Sequence, residues 1–312
     1  MTAIDTKAKG GKCLALVAVL AMVVCAFAII TTPADAEEPA ATTFYVGGDK
    51  AKEDGTGTQE APFLTIADAV SKANADGTTK IIIELLGDVN GNGVKVGEGS
   101  GKVNDLTINF NNHTFNLDGS TVGSTGTETN GFQLLKDSTV VMKNGTITSS
   151  VAKILIQNYS NLTLNGMTLD GRNLNLAAPY TLSNNNGTIV VKDSTIIAKT
   201  GGFAFDVCGF SDYAGANVTV KGNSIINGNI ELSSNDKTHT LALNIESGKI
   251  NGEIKKTTGG EKVTLSITGG EFVNPISDAD AAISVAVNST LKADVTLSTK
   301  SNSLAIANGG TY

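Results

Sequence analysis

The chain has 312 residues, 40% of them apolar, and a formal net charge of −7, which makes nucleic acid an unexpected partner. Aromatics are only 5%, tryptophan is absent, prolines number 5 and glycines 35. With Asn and Thr abundant, this is not the composition of a helical protein but of many short strands joined by turns.

Met1 to Ala36 reads as an export signal, with Lys7, Lys9 and Lys12 as its basic start, Cys13 to Ile30 as its apolar run and Ala34-Asp35-Ala36 as the cleavage site. An uncleaved signal anchor is the rival, and it is the only membrane contact the sequence offers. Cleavage before Glu37 predicts a secreted or cell-surface chain. It removes three lysines against two aspartates, so the exported chain is one charge more acidic, and it leaves Cys208 without a disulfide partner in the same chain.

Residues 37–79 form the next unit: a strand, a Gly-rich loop and one amphipathic helix. Thr65 is placed as N-cap with Asp68 at the capping-box position, and Ile66, Ala69, Val70 and Ala73 fall on one face. Lys80 to Leu86 follows as a strand. The order Y-V-G-G…D-G-T, then A-P-F-L-T-I-A-D-A-V, then a strand resembles the N-terminal cap of bacterial right-handed parallel β-helix proteins of the pectate-lyase-like group. Pro62, Phe63, Thr65, Ile66 and Ala69 carry the match. The resemblance implies an all-β, single-stranded, right-handed solenoid closed at its start by that helix, which would cover otherwise unpaired strand.

Residues 80–312 supply the coils. Tyr159 to Gly171 states the repeat most densely: Leu162 and Leu164, then Met167 and Leu169, alternate with Thr, and Asn165-Gly166 and Asp170-Gly171 bend the chain. Aligned on strands of the form apolar-x-apolar, Leu106, Val140, Leu162, Ile189, Val218, Leu241 and Val263 begin successive rungs 22 to 34 residues apart. That spacing predicts a solenoid of roughly nine coils with insertions in some turns. S-I-T-G-G-E-F-V-N-P around Gly269, with I-E-S-G-K-I-N-G-E-I before it, resembles a turn of bacterial adhesin-like surface β-helices. The pattern stops at Tyr312 in mid-repeat, which reads as a fragment, a truncated product or an end protected by a partner.

Few residues suggest chemistry. Enzymes of the resembling fold use an arginine near calcium-binding carboxylates, or clustered aspartates with a histidine. Here Arg172 is the only arginine and reads as a turn residue paired with Asp170, while His113 and His239 read as solvated positions. No cofactor is required; the one metal hypothesis is calcium at Asp88, Asn90 and Asn92, spaced like the start of an EF-hand loop. The bidentate acid that should close such a loop is absent, and a plain turn explains the segment as well.

The insertion Gly201 to Gly215 concentrates Phe203, Phe205, Asp206, Phe210, Asp212 and Tyr213. It is read as an aromatic platform for a glycan or for a host or neighbouring-cell protein. In the competing reading Phe203, Phe205 and Val207 alternate as one buried strand face with Asp206 outside. Asn-x-Ser/Thr triplets at Asn158, Asn186, Asn217 and elsewhere could be glycosylation acceptors of a eukaryotic secretory protein; more simply, Asn at turns and Thr in strands generate them, and stacked Asn side chains can form ladders inside the coils. The functional expectation is a non-enzymatic adhesive or structural module; the alternative is a lyase or glycoside hydrolase acting on an acidic polysaccharide.

Overall fold

A short strand with one apolar face needs partners for that face and for its backbone, and in a computed structural model each strand finds both in the turns before and after it. The structure describes residues 40–175, 180–210, 215–234, 239–258 and 262–274, together with the strands Ile276–Asp278, Ala282–Ala286, Val295–Leu297 and Ser303–Ala305. The chain divides into Met1–Glu38, which holds the expected export signal and lies outside the described residues, and Pro39–Tyr312. Among the described residues no helix is long and apolar enough to cross a membrane.

The strands stack in parallel to make a β-solenoid with three faces. On the first face Thr42–Val46 pairs with Lys80–Leu85, which pairs with Asp105–Asn109, and the column continues through Thr188–Lys192 and Thr240–Ile245 to Ser303–Ala305. The second face is made by short strands such as Thr114–Leu117 and Thr195–Ile197, and it joins the first in one 17-stranded sheet. The third is a separate 7-stranded sheet from Val94–Val96 to Ile254–Thr258. About seven turns therefore carry this sheet among the described residues, while the column of the first face continues beyond it to Ser303–Ala305.

The bend between the first two faces depends on a left-handed residue. Asn161–Asp170, read from sequence as two strands, is one strand bent at Gly166, where φ is +66°. The same corner falls at Asn144 and Asp193, with φ of 58° and 49°, and at Gly222. Asn, Asp and Gly are the residues that tolerate this conformation. The flip carries the apolar alternation from Leu162 and Leu164 to Met167 and Leu169, so both halves face the same core, where all four are buried.

The rungs align as expected from Leu106 through Val140, Leu162 and Ile189 to Val218. The next rung is a correction: Val218 stands opposite Leu243 rather than Leu241. A shift of two keeps the same face inward, so alternation alone is blind to it.

The cap forms as the sequence predicts. The helix spans Ile66–Asp76, with a reciprocal box in which Thr65 Oγ1 accepts from the Asp68 amide and Asp68 accepts from the Thr65 amide, both at 3.1 Å. Ile66, Ala69, Val70 and Ala73 are buried and join the core of the first turns. Gly77, at φ 70°, ends the helix.

Asparagines link one turn to the next, as the triplets suggested. Asn158 donates to Asn184 Oδ1 at 2.9 Å, and both are fully buried; Asn244 donates to Asn217 at 3.0 Å. Inside the stack an amide can give up water only because its partner sits one turn away. Asn158→Ala should therefore destabilise by about 1–3 kcal/mol, while Asn90→Ala, which removes an exposed 3.4 Å ladder bond, should stay within about 0.5 kcal/mol. Urea unfolding of both variants checks this.

Candidate functional site

On the third face the strands depart from strict alternation. Leu155 and Ile156 are consecutive in the chain and both fully buried, and so are Ala204 and Phe205. Two successive inward residues reverse the face of everything before them. In Phe203–Gly209 the register with the next strand shifts between Phe203 and Phe205, the signature of a bulge. Phe205 and Val207 therefore fill the core while Phe203 points away and stacks on Tyr180, with ring centroids 5.4 Å apart at 25°.

The outward row of this face runs Gln133, Gln157, Ser183, Asp206, Glu231 on successive turns. It is polar yet largely buried, Asp206 being 4% exposed and Glu231 8%. Gln133 donates to Gln157 Oε1 at 3.1 Å. Asp206 accepts from the Asn184 amide at 2.5 Å and from Ser183 Oγ at 3.3 Å. The Tyr180 hydroxyl donates to Glu231 Oε2.

Burial pushes the Asp206 carboxyl up to about 7; the bond from the Asn184 amide opposes this and the Glu231 charge adds to it. Tyr180 is held well above its ordinary phenolic value, first by burial and then by its bond to Glu231. Cys208, on the same strand, is raised to about 11 by burial, so its thiol is not a ready nucleophile at neutral pH.

The insertion residues separate. Phe205 belongs to the core, and Phe203 and Asp206 belong to the outward side. Phe210 stands 48% exposed beyond the strand. Asn186 holds it there, donating to the Phe210 carbonyl and accepting from its amide, both at 2.7 Å. Asp212 and Tyr213 lie outside the described residues. Sequence reasoning missed Tyr180, Ser183, Asn186 and Glu231, which stand twenty or more residues from their partners in the chain and meet them only through the stacking of turns.

The oxygens read as a calcium loop belong to or flank the strand Val89–Gly91, and each bonds to the following turn. Asp88 accepts from the Thr114 amide at 2.8 Å, Asn90 from Asn116 at 3.4 Å and Asn92 from the Ser120 amide at 2.8 Å. Among the described residues no three His, Cys, Asp or Glu side chains gather as a metal site. Arg172 makes a two-bond contact with Asp170, at 2.8 and 2.6 Å, and this bonding lowers the Asp170 carboxyl. His113 stands near Asp88 at 3.6 Å. His239 is a correction: it is 1% exposed and packs over Gly209, where a Cβ would come within 2.6 Å of it.

Comparison with protein-family models, with curated proteins and with solved structures finds no match for this chain. The class it falls in is set by its own geometry, that of a capped parallel β-solenoid.

The buried carboxyl gives a signed pH dependence. From the ordinary value of 3.8 up to about 7, the folded chain keeps a proton on Asp206 that the unfolded chain has released. The contribution of Asp206 to stability is thus full below 3.8 and falls as pH rises through this window, by an amount on the order of 4 kcal/mol. Asp206→Asn should flatten the fall, leaving the variant the more stable chain above neutral pH. Denaturation midpoints of both proteins across the window test the sign.

Proposed function

We propose that this chain is a non-enzymatic, exported module of the bacterial pectate-lyase-like adhesive kind, secreted or held at the cell surface. In this reading it binds a glycan or a host or neighbouring-cell protein at the Phe210 end of the third face. The coil is taken as right-handed, the hand that parallel crossovers adopt in nearly all cases.

One observation carries the reading: Phe210 is a large apolar side chain left 48% exposed, yet its backbone is fixed on both sides by one asparagine. Asn186 makes this clamp from a left-handed conformation, φ 63°. An exposed aromatic ring on a fixed backbone meets a partner at low entropic cost, and aromatic faces are common anchors for proteins and sugars. The charged residues support the same reading, since Arg172 and Asp88 are engaged in contacts within or between turns. The acid pair at Asp206 and Glu231 is buried away from any polymer lying on the surface.

A panel of plant, host and bacterial glycans and of cell-surface extracts, probed with calcium and with chelator, tests the proposal. Binding without new reducing or unsaturated ends is expected. Phe210→Ala should weaken it about tenfold with little change in stability, and Asn186→Ala should weaken it by freeing the ring. Release of new ends would replace this reading with the lyase or hydrolase alternative.

A further inference from the structure

We propose that the Asp206 carboxyl is a pH-sensitive latch between consecutive turns of the third face, closed while neutral and loosened when ionised. The latch goes beyond the binding role and stands whether or not a ligand docks at Phe210.

Three features of the geometry point to it. Asp206 and Glu231 are directly opposite in parallel register, so their backbones are about 4.8 Å apart and both side chains leave the sheet on the same side. Both are buried, in a place where like charges are screened little. The pairing is irregular at two places: between Phe203 and Phe205 in the ladder the two acids share, and between Leu232 and Ser233 where the strand of Glu231 pairs with the following turn. A ladder broken just before the pair, with a second break on the far side of the strand of Glu231, has fewer bonds over which to spread a repulsion.

The groups facing Asp206 set the direction. From the preceding turn come the Ser183 hydroxyl and the Asn184 amide, both donors to its oxygens, and Tyr180, whose hydroxyl is committed to Glu231. From its own strand comes Cys208, neutral at ordinary pH because burial raises it. From the following turn comes Glu231, and beyond it Lys255, paired with Glu253 at 2.7 Å. His239 packs at the far end of the strand, against Gly209. Among the described residues no ion pair reaches Asp206. Two neutral donors hold one carboxylate, and the charge nearest to it in register has the same sign. Burial sets its proton release close to neutral pH, about 7, so the change falls where an exported protein meets ordinary variation in acidity.

Cys208, two residues away on the same strand, is a built-in reporter. In the wild-type protein the Asp206 side-chain carbon, followed by NMR, should titrate near neutrality. Disulfide-exchange labelling read at Cys208 by peptide mapping, and normalised to the unfolded chain at each pH, should show protection falling about tenfold or more from about pH 6 to about pH 8.5. In Asp206→Asn that protection should not change with pH. Titration of Asp206 in the ordinary carboxylate range would overturn the latch, as would constant protection in the wild type or a parallel loss in both proteins. The titration is read on the unaltered chain, so it decides the matter even if the variant folds poorly, and neither readout depends on ligand binding.

Discussion

Every turn of this protein relies on its neighbours for backbone hydrogen bonds, because the strands pair in parallel with the turns on either side. Leu162 has Val140 opposite it on one side and Ile189 on the other, and the same holds rung after rung. A single turn has too little to bury and too many open backbone groups to stand alone, so order arises only as turns accumulate. The first turn needs a lid for the same reason. The helix Ile66–Asp76 provides it, putting four apolar residues against the start of the core.

In-register stacking has a second effect, since it turns each position of the repeat into a column of side chains. Apolar columns make the core, and Asn columns satisfy one another inside it, as at Asn158 and Asn184. A column of acids has no such solution. Where Asp206 meets Glu231 the repeat sets like charges opposite each other in a buried row, a local conflict that an otherwise self-consistent stack carries. Sites that break the local rule while the rest obeys it are where function is sought first. The clamp of Phe210 by Asn186 lies close by, at the end of the same strand as Asp206.

Much of the fold was legible in the sequence because its strongest signals are local. The capping box, the apolar stripe of the helix and the alternation on the first face each lie within a dozen residues, and all are found in the structure. What sequence reading missed has physical causes. Pairing Val218 with Leu243 rather than Leu241 leaves alternation unchanged, so no periodicity reveals it. The third face breaks period two with consecutive inward residues, which separated Phe203 from Phe205 and hid the outward row. Tyr180, Ser183 and Glu231 gain meaning only from positions one or two turns away. His239 reads as a surface polar residue until Gly209 is seen to leave room for it.

The register at the acid pair supports both the architecture and the latch, and backbone NMR contacts test it most directly. An isotope-labelled sample should show the short inter-strand contacts of parallel pairing between Asp206 and Glu231 and between Thr163 and Val190. A register displaced by one residue at Asp206, or an antiparallel pattern, would dissolve the outward row and contradict the account.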